Sequence, residues 1–189
     1  MIAALFVQTN GCYFNLESVD PWDEKRDARL YRGPYPVIAH PPCARWGSYW
    51  FGSPSGKKRY KLGDDGGCFA YALRAVRNYG GVLEHPKNSK AWDHFGLLKP
   101  PHTGGWIKSD DFGWSCCVDQ GFYGHRASKA TWLYYVGNNP PILIWGKSKV
   151  HNHNPNRRGV CESLSKRERA ATPIEFRNLL IDMVETCKE

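Results

Sequence analysis

Cys43 has the surroundings of a nucleophile. It follows Pro41-Pro42, with His40 three residues before it and Arg45 two residues after. A proline pair makes a stiff turn that can hold a thiol partly open to solvent. Nearby cations favour the thiolate, the form that attacks. The second group of interest is Glu84, an acid that closes the apolar run Val82-Leu83 and is followed by His85-Pro86. A carboxylate in such a run must pair with a cation or carry a raised pKa. Two basic segments stand beside this pair. Lys57-Lys58-Arg59-Tyr60-Lys61 follows Cys43 closely, and the turn Gly121–Lys129 carries His125, Arg126 and Lys129. Such clusters contact phosphates when they are not merely solvated.

The elements around these residues determine whether they can meet. An apolar strand at 2–8 ends in Thr9-Asn10-Gly11, a turn sequence, and 17–32 is charged and irregular. A second strand at 37–40 is stopped by the two prolines and followed by a basic, glycine- and serine-rich loop over 45–63. Asp64 or Asp65 is a natural cap for the next helix, in which Phe69, Leu73 and Val76 recur on one face. Gly80-Gly81 ends that helix, and a third strand begins at Val82. A strand–helix–strand crossover of this kind is parallel and right-handed. Ligands of open parallel sheets sit beyond the carboxyl ends of the strands. Cys43 and Glu84 are therefore expected to share one crevice.

Downstream, a short helical piece surrounds Trp92, and 114–119, 131–136 and 141–145 read as strands. Residues 146–170 form a second basic loop, with seven bases against two acids. Thr172-Pro173-Ile174-Glu175 has the form of a capping box, ahead of a helix striped by Phe176, Leu179, Leu180, Met183 and Val184. The expected fold is α/β: one compact domain over 1–189, a short parallel sheet extended by antiparallel strands, and a packed C-terminal helix.

Composition narrows the function classes. Lysine and arginine number 26 against 18 acids, which favours a polyanionic partner, DNA or a nucleotide. No apolar run approaches the ~20 residues of a membrane span, and the N-terminal run lacks a basic leader and cleavage site. A cytoplasmic location is expected. The seven cysteines are odd in number, contain no Cys-x-x-Cys pair and suit reduced thiols; no metal site is expected.

Pro41-Pro42-Cys43 after a strand, then a helix and a strand ending in Glu84, resembles the catalytic core of DNA cytosine carbon-5 methyltransferases. The stretch 121–137, a basic turn running into an apolar strand that ends in glycine, resembles a later motif of theirs. Ala39-His40-Pro41-Pro42-Cys43, Leu83-Glu84-His85-Pro86 and the 120–134 stretch together are similar to small methyltransferase-like proteins of bacteriophages and prophages. The resemblance implies that Cys43 adds to the cytosine ring and Glu84 holds the base, with Arg126 and Lys129 as further catalytic candidates. It implies S-adenosylmethionine as methyl donor, with Asn10, Gly11 and Asp20 as candidate contacts. His40, Arg45, Lys57, Lys58, Arg59, Lys61, His85 and His125 are the candidate substrate or DNA contacts. Two other readings stand beside this one: a nucleic-acid-binding or defence-inhibiting phage protein without chemistry, and an enzyme acting on free nucleotides.

Overall fold

The computed structural model describes residues 1–52, 55–150 and 164–187. Seven strands form one mixed sheet in the order β2-β1-β3-β4-β7-β6-β5. They are β1 (Ile2–Leu5), β2 (Val19–Trp22), β3 (Val37–Ala39), β4 (Gly81–Pro86), β5 (Ile107–Lys108), β6 (Trp114–Asp119) and β7 (Ala130–Val136). The first four strands in that order are mutually parallel; β7, β6 and β5 extend the sheet antiparallel from β4. The α/β class, the mixed sheet and the C-terminal helix agree with the sequence reading.

Helix α1 (Cys68–Tyr79) connects β3 to β4, as the apolar spacing requires. Phe69, Ala72, Leu73 and Val76 are buried on one sheet face with Val37, Ala39 and Leu83. Asp65 tethers its start, accepting from the Gly67 and Phe69 amides at 2.9 Å each. Gly81 allows β4 to begin directly beside β3. At φ 117, a Cβ there would lie 2.0 Å from the Val37 carbonyl oxygen. The other face is covered by α4 (Ile174–Glu185), whose Phe176, Leu180, Met183 and Val184 pack with Ile2, Ala4, Ile38 and Val82. Two further short α-helices are α2 (Ala91–His94) and α3 (Lys166–Ala170).

Four sequence expectations are corrected. Residues 19–22, read as irregular, form edge strand β2 despite Pro21, because an edge strand can spare one amide. Residues 141–145 form no strand: Pro140 precedes them, Pro141 begins them and Ile142 is 95% exposed. The basic loop 146–170 contains α3, while 151–163 lie outside the described residues. Thr172 does not cap α4, which starts after Pro173 with no side-chain cap. The capping box is one helix earlier. Ser165 Oγ accepts from the Glu168 amide at 3.2 Å, and Glu168 accepts from the Ser165 amide at 2.9 Å.

Candidate active site

In the order β2-β1-β3-β4, the chain leaves β1 toward one side and returns to the other, so the strand order reverses between β1 and β3. That reversal is where open parallel sheets open a ligand crevice, at the carboxyl ends of the strands. A crevice of about 510 Å³ lies there, lined among others by Phe6, Tyr13, His40, Cys43, Glu84 and Lys129. Cys43 and Glu84 share it, as the crossover predicts.

Register explains the pairing behind Glu84. Ala39 lies opposite Leu83, so the next residues, His40 and Glu84, fall side by side. Alternation along the strands gives them the face that Ile38 and Val82 share with α4. His40 Nδ1 lies 3.0 Å from Glu84 Oε2, and both side chains are only 13% exposed. Because a carboxylate only accepts, Nδ1 carries the proton, and in the neutral imidazole Nε2 accepts from the Tyr13 hydroxyl at 2.9 Å. On the other side, Gln120 Nε2 donates to Glu84 Oε1 at 3.3 Å and to Thr131 Oγ1 at 2.8 Å. Burial pushes the Glu84 carboxyl up. The bond and charge of His40, with Lys129 and His85, outweigh burial and hold it below the ordinary carboxylate range. Burial, then the charges of Cys12 and Glu84, push Tyr13 well above the usual phenol range, so its hydroxyl stays protonated.

Cys43 is an exposed residue on a tight turn, its carbonyl accepting from the Trp46 and Gly47 amides at 3.0 and 3.2 Å. Its thiol is not activated as the flanking bases suggest. Desolvation, then the Glu84 charge, raise its pKa, with Lys129 opposing them. His40 is engaged with Glu84. Arg45 turns away, its guanidinium 3.3 Å over the Tyr60 ring and its Nη1 on the Trp50 carbonyl at 3.2 Å. Cys43 therefore rests as a thiol that must lose its proton to attack.

The remaining candidates divide. Lys129 lines the crevice, its Nζ donating to the Ala171 carbonyl at 3.2 Å, and Gly11 lines it on the β1 side. His85 does not reach it: alternation turns its side chain to the α1 face, where it is 1% exposed, bonded to Ser89 and packed edge-on to Phe69. His125 is buried, with Nδ1 against the Ala127 backbone. Arg126 is exposed and paired with Glu168, outside the crevice lining. Asp20 lies within β2, where it accepts from Trp22 Nε1 and pairs with Arg26, and Asn10 is an exposed turn residue with φ 56. Lys57, Lys58, Arg59 and Lys61 are exposed and do not line the crevice. Lys58 instead stands 5.0 Å over Tyr60.

Sequence reasoning did not select Tyr13 or Gln120. Sequence alone places Arg167 and Arg169 in a loop; both line the crevice from α3. The capping sequence Ser165–Glu168 was the available signal for α3; nothing local marks Tyr13 or Gln120.

A second hollow of about 630 Å³ adjoins the first, sharing Phe6, Val7 and Pro42, and is lined by Asp23, Glu24, Asp27 and Arg29 beyond β1 and β2. Asp23 is occupied by Thr9 Oγ1 at 2.7 Å and by the Lys25 and Arg26 amides, and Asp27 by Arg29. Glu24 is exposed. The hollow has room and negative charge for a cationic ligand with hydroxyls, although Asn10 and Asp20 have no part in it. No protein-family model matches the chain, and no curated protein matches it either.

Proposed function

We propose that the protein modifies cytosine in DNA, with Cys43 as nucleophile and Glu84 as the group that holds the base. One observation carries this reading: a thiol and a largely buried, doubly anchored carboxylate face the same crevice at the reversal point of the sheet's parallel half. A flipped base fits a pocket of this kind, and Lys129, Arg167 and Arg169 supply positive charge for the flanking phosphates. The net charge of +8 favours the same partner.

Cys43 gives up its thiol proton to solvent, and the thiolate adds to ring carbon 6. Ring nitrogen 3 meanwhile takes a proton that His40 and Glu84 relay from solvent through the carboxylate that touches the base. Tyr13 and Gln120 keep the pair oriented. Addition makes carbon 5 nucleophilic. After carbon 5 gains its substituent, it loses its proton to solvent, the Cys43 thiolate is expelled, and ring nitrogen 3 returns its proton to Glu84, which restores the ring. With S-adenosylmethionine as donor, Phe6, Val7 and Glu24 of the adjoining hollow would hold it, and it would supply an electrophilic methyl group.

The test uses a single-stranded oligonucleotide in which the target cytosine carries fluorine at carbon 5, incubated with the donor. Fluorine cannot leave as a proton, so the adduct stays on the protein and shows by mass spectrometry at Cys43. Cys43→Ser should give no adduct while binding DNA as before. Binding without any adduct from the unaltered protein would instead favour the DNA-binding reading.

A further inference from the structure

A groove of about 390 Å³ lies between α1 and residues 28–32, and shares no residue with the Cys43 crevice. Its walls are Tyr31, Tyr71 and Tyr79, its bases Arg32 and Arg74, and Asn78 stands among them. Ala28 and Ala75, 5% and 8% exposed, line it with small side chains that leave its volume open. No carboxylate lines it, and neither arginine makes an ion pair among the described residues. Arg32 is nonetheless fixed. Its Nη1 donates to the Arg29 and Tyr31 carbonyls at 2.9 and 2.8 Å, and among the described residues no acceptor is bonded to its Nε or Nη2. The Arg74 guanidinium lies 4.4 Å over the Tyr71 ring, and Tyr79 is held edge-on to Tyr31 at 5.5 Å.

Two anchored guanidiniums without a counterion call for an anion, and guanidinium geometry suits phosphate oxygens. Flat aromatic walls in the same groove call for a flat ring beside it. We propose that this groove binds a nucleotide, its phosphate on Arg32 and Arg74, its base among the tyrosines with Asn78 at its edge. Asn78 offers both a donor and an acceptor to that edge. The nucleotide is either free or one unit of a longer strand.

The isotope-labelled full chain is titrated with adenosine monophosphate, inorganic phosphate and an eight-residue oligothymidylate, which lacks cytosine, while amide shifts are followed by NMR. Adenosine monophosphate should move the amides of Tyr71–Tyr79 and bind at least tenfold tighter than phosphate. Arg32→Gln with Arg74→Gln, both on exposed residues, should weaken it tenfold or more. Ala75→Leu should block the groove with its charge intact, folding being checked by the same spectrum. Tighter binding of the oligonucleotide, weakened by the same variants, identifies a strand; tighter binding of the mononucleotide identifies a free ligand. Equal affinity for phosphate and adenosine monophosphate, or affinity unchanged in the arginine variant, would overturn the proposal. Adduct formation at Cys43 is read separately, so either idea can fail alone.

Discussion

His85 is buried against Phe69 and Trp92, and burial pushes its pKa down to about 4 despite the opposing pull of Glu84. Between its ordinary value near 6.5 and that value, the unfolded chain takes a proton that the folded one refuses. Stability must therefore fall as pH drops through this window, by roughly 2–3 kcal/mol between pH 7 and 4.5. His85→Gln should be less stable at pH 7 but lose much less on acidification. Urea unfolding at the two pH values checks this, and parallel losses in both proteins would contradict it. Glu84 behaves oppositely in range. Held below the ordinary carboxylate pKa, it adds stability present above about 4.5 and lost only as pH falls lower. Removing its partner by His40→Gln should raise the Glu84 pKa, moving the acid limb of the pH profile of adduct formation upward. An unmoved limb would show that His40 does not govern the carboxylate.

Caps set a different kind of expectation, one step up in scale. Thr172→Ala should change stability by less than about 0.5 kcal/mol, since Thr172 makes no cap for α4. Ser165→Ala removes the cap of α3 and should open that segment by roughly 0.5–2 kcal/mol. Exchange of the 166–170 amides would then quicken by about 2- to 30-fold, with little change in global stability, and DNA affinity should fall because α3 carries Arg167 and Arg169. Unchanged exchange would mean that α3 is held by contacts other than its box. The β3–α1–β4 unit was legible because period-3.6 and strand patterns repeat there between hard stops, and with it the shared crevice of Cys43 and Glu84. Strand β2 was not, because Val19-Asp20-Pro21-Trp22 has neither alternation nor a full set of donors, and only its neighbour β1 makes it a strand. The His40–Glu84 bond was also invisible, since it depends on the register of two strands whose residues are 44 apart in sequence. Nor could local sequence show that Arg45 spends its charge on Tyr60.

At the scale of the whole molecule, the surplus of basic residues is spread over distinct places. Lys57, Lys58 and Arg59 lie exposed on the loop after Cys43, whereas Lys129, Arg167 and Arg169 edge the crevice itself. If the protein embraces a strand threaded into the crevice, both sets touch phosphates but play different parts. Each phosphate contact removed should flatten the slope of log affinity against log salt by about 0.7 on a single strand and about 0.9 on a duplex. Changing Lys57, Lys58 and Arg59 to Gln should therefore weaken DNA binding uniformly across sequences and flatten the slope, while any adduct formed at saturating DNA keeps its rate. Arg167→Gln with Arg169→Gln should also flatten the slope, but slow adduct formation at saturation as well, because a misplaced backbone misplaces the base. Lys129 is left out of that variant because its charge also acts on Cys43 and Glu84. Binding measured from 50 to 300 mM salt, with single-turnover rates alongside, separates the two sets. A loop variant with an unchanged slope would show those three residues to be a solvated face. A rim variant that loses affinity yet keeps its saturated rate would show that the crevice positions its base without help from the backbone.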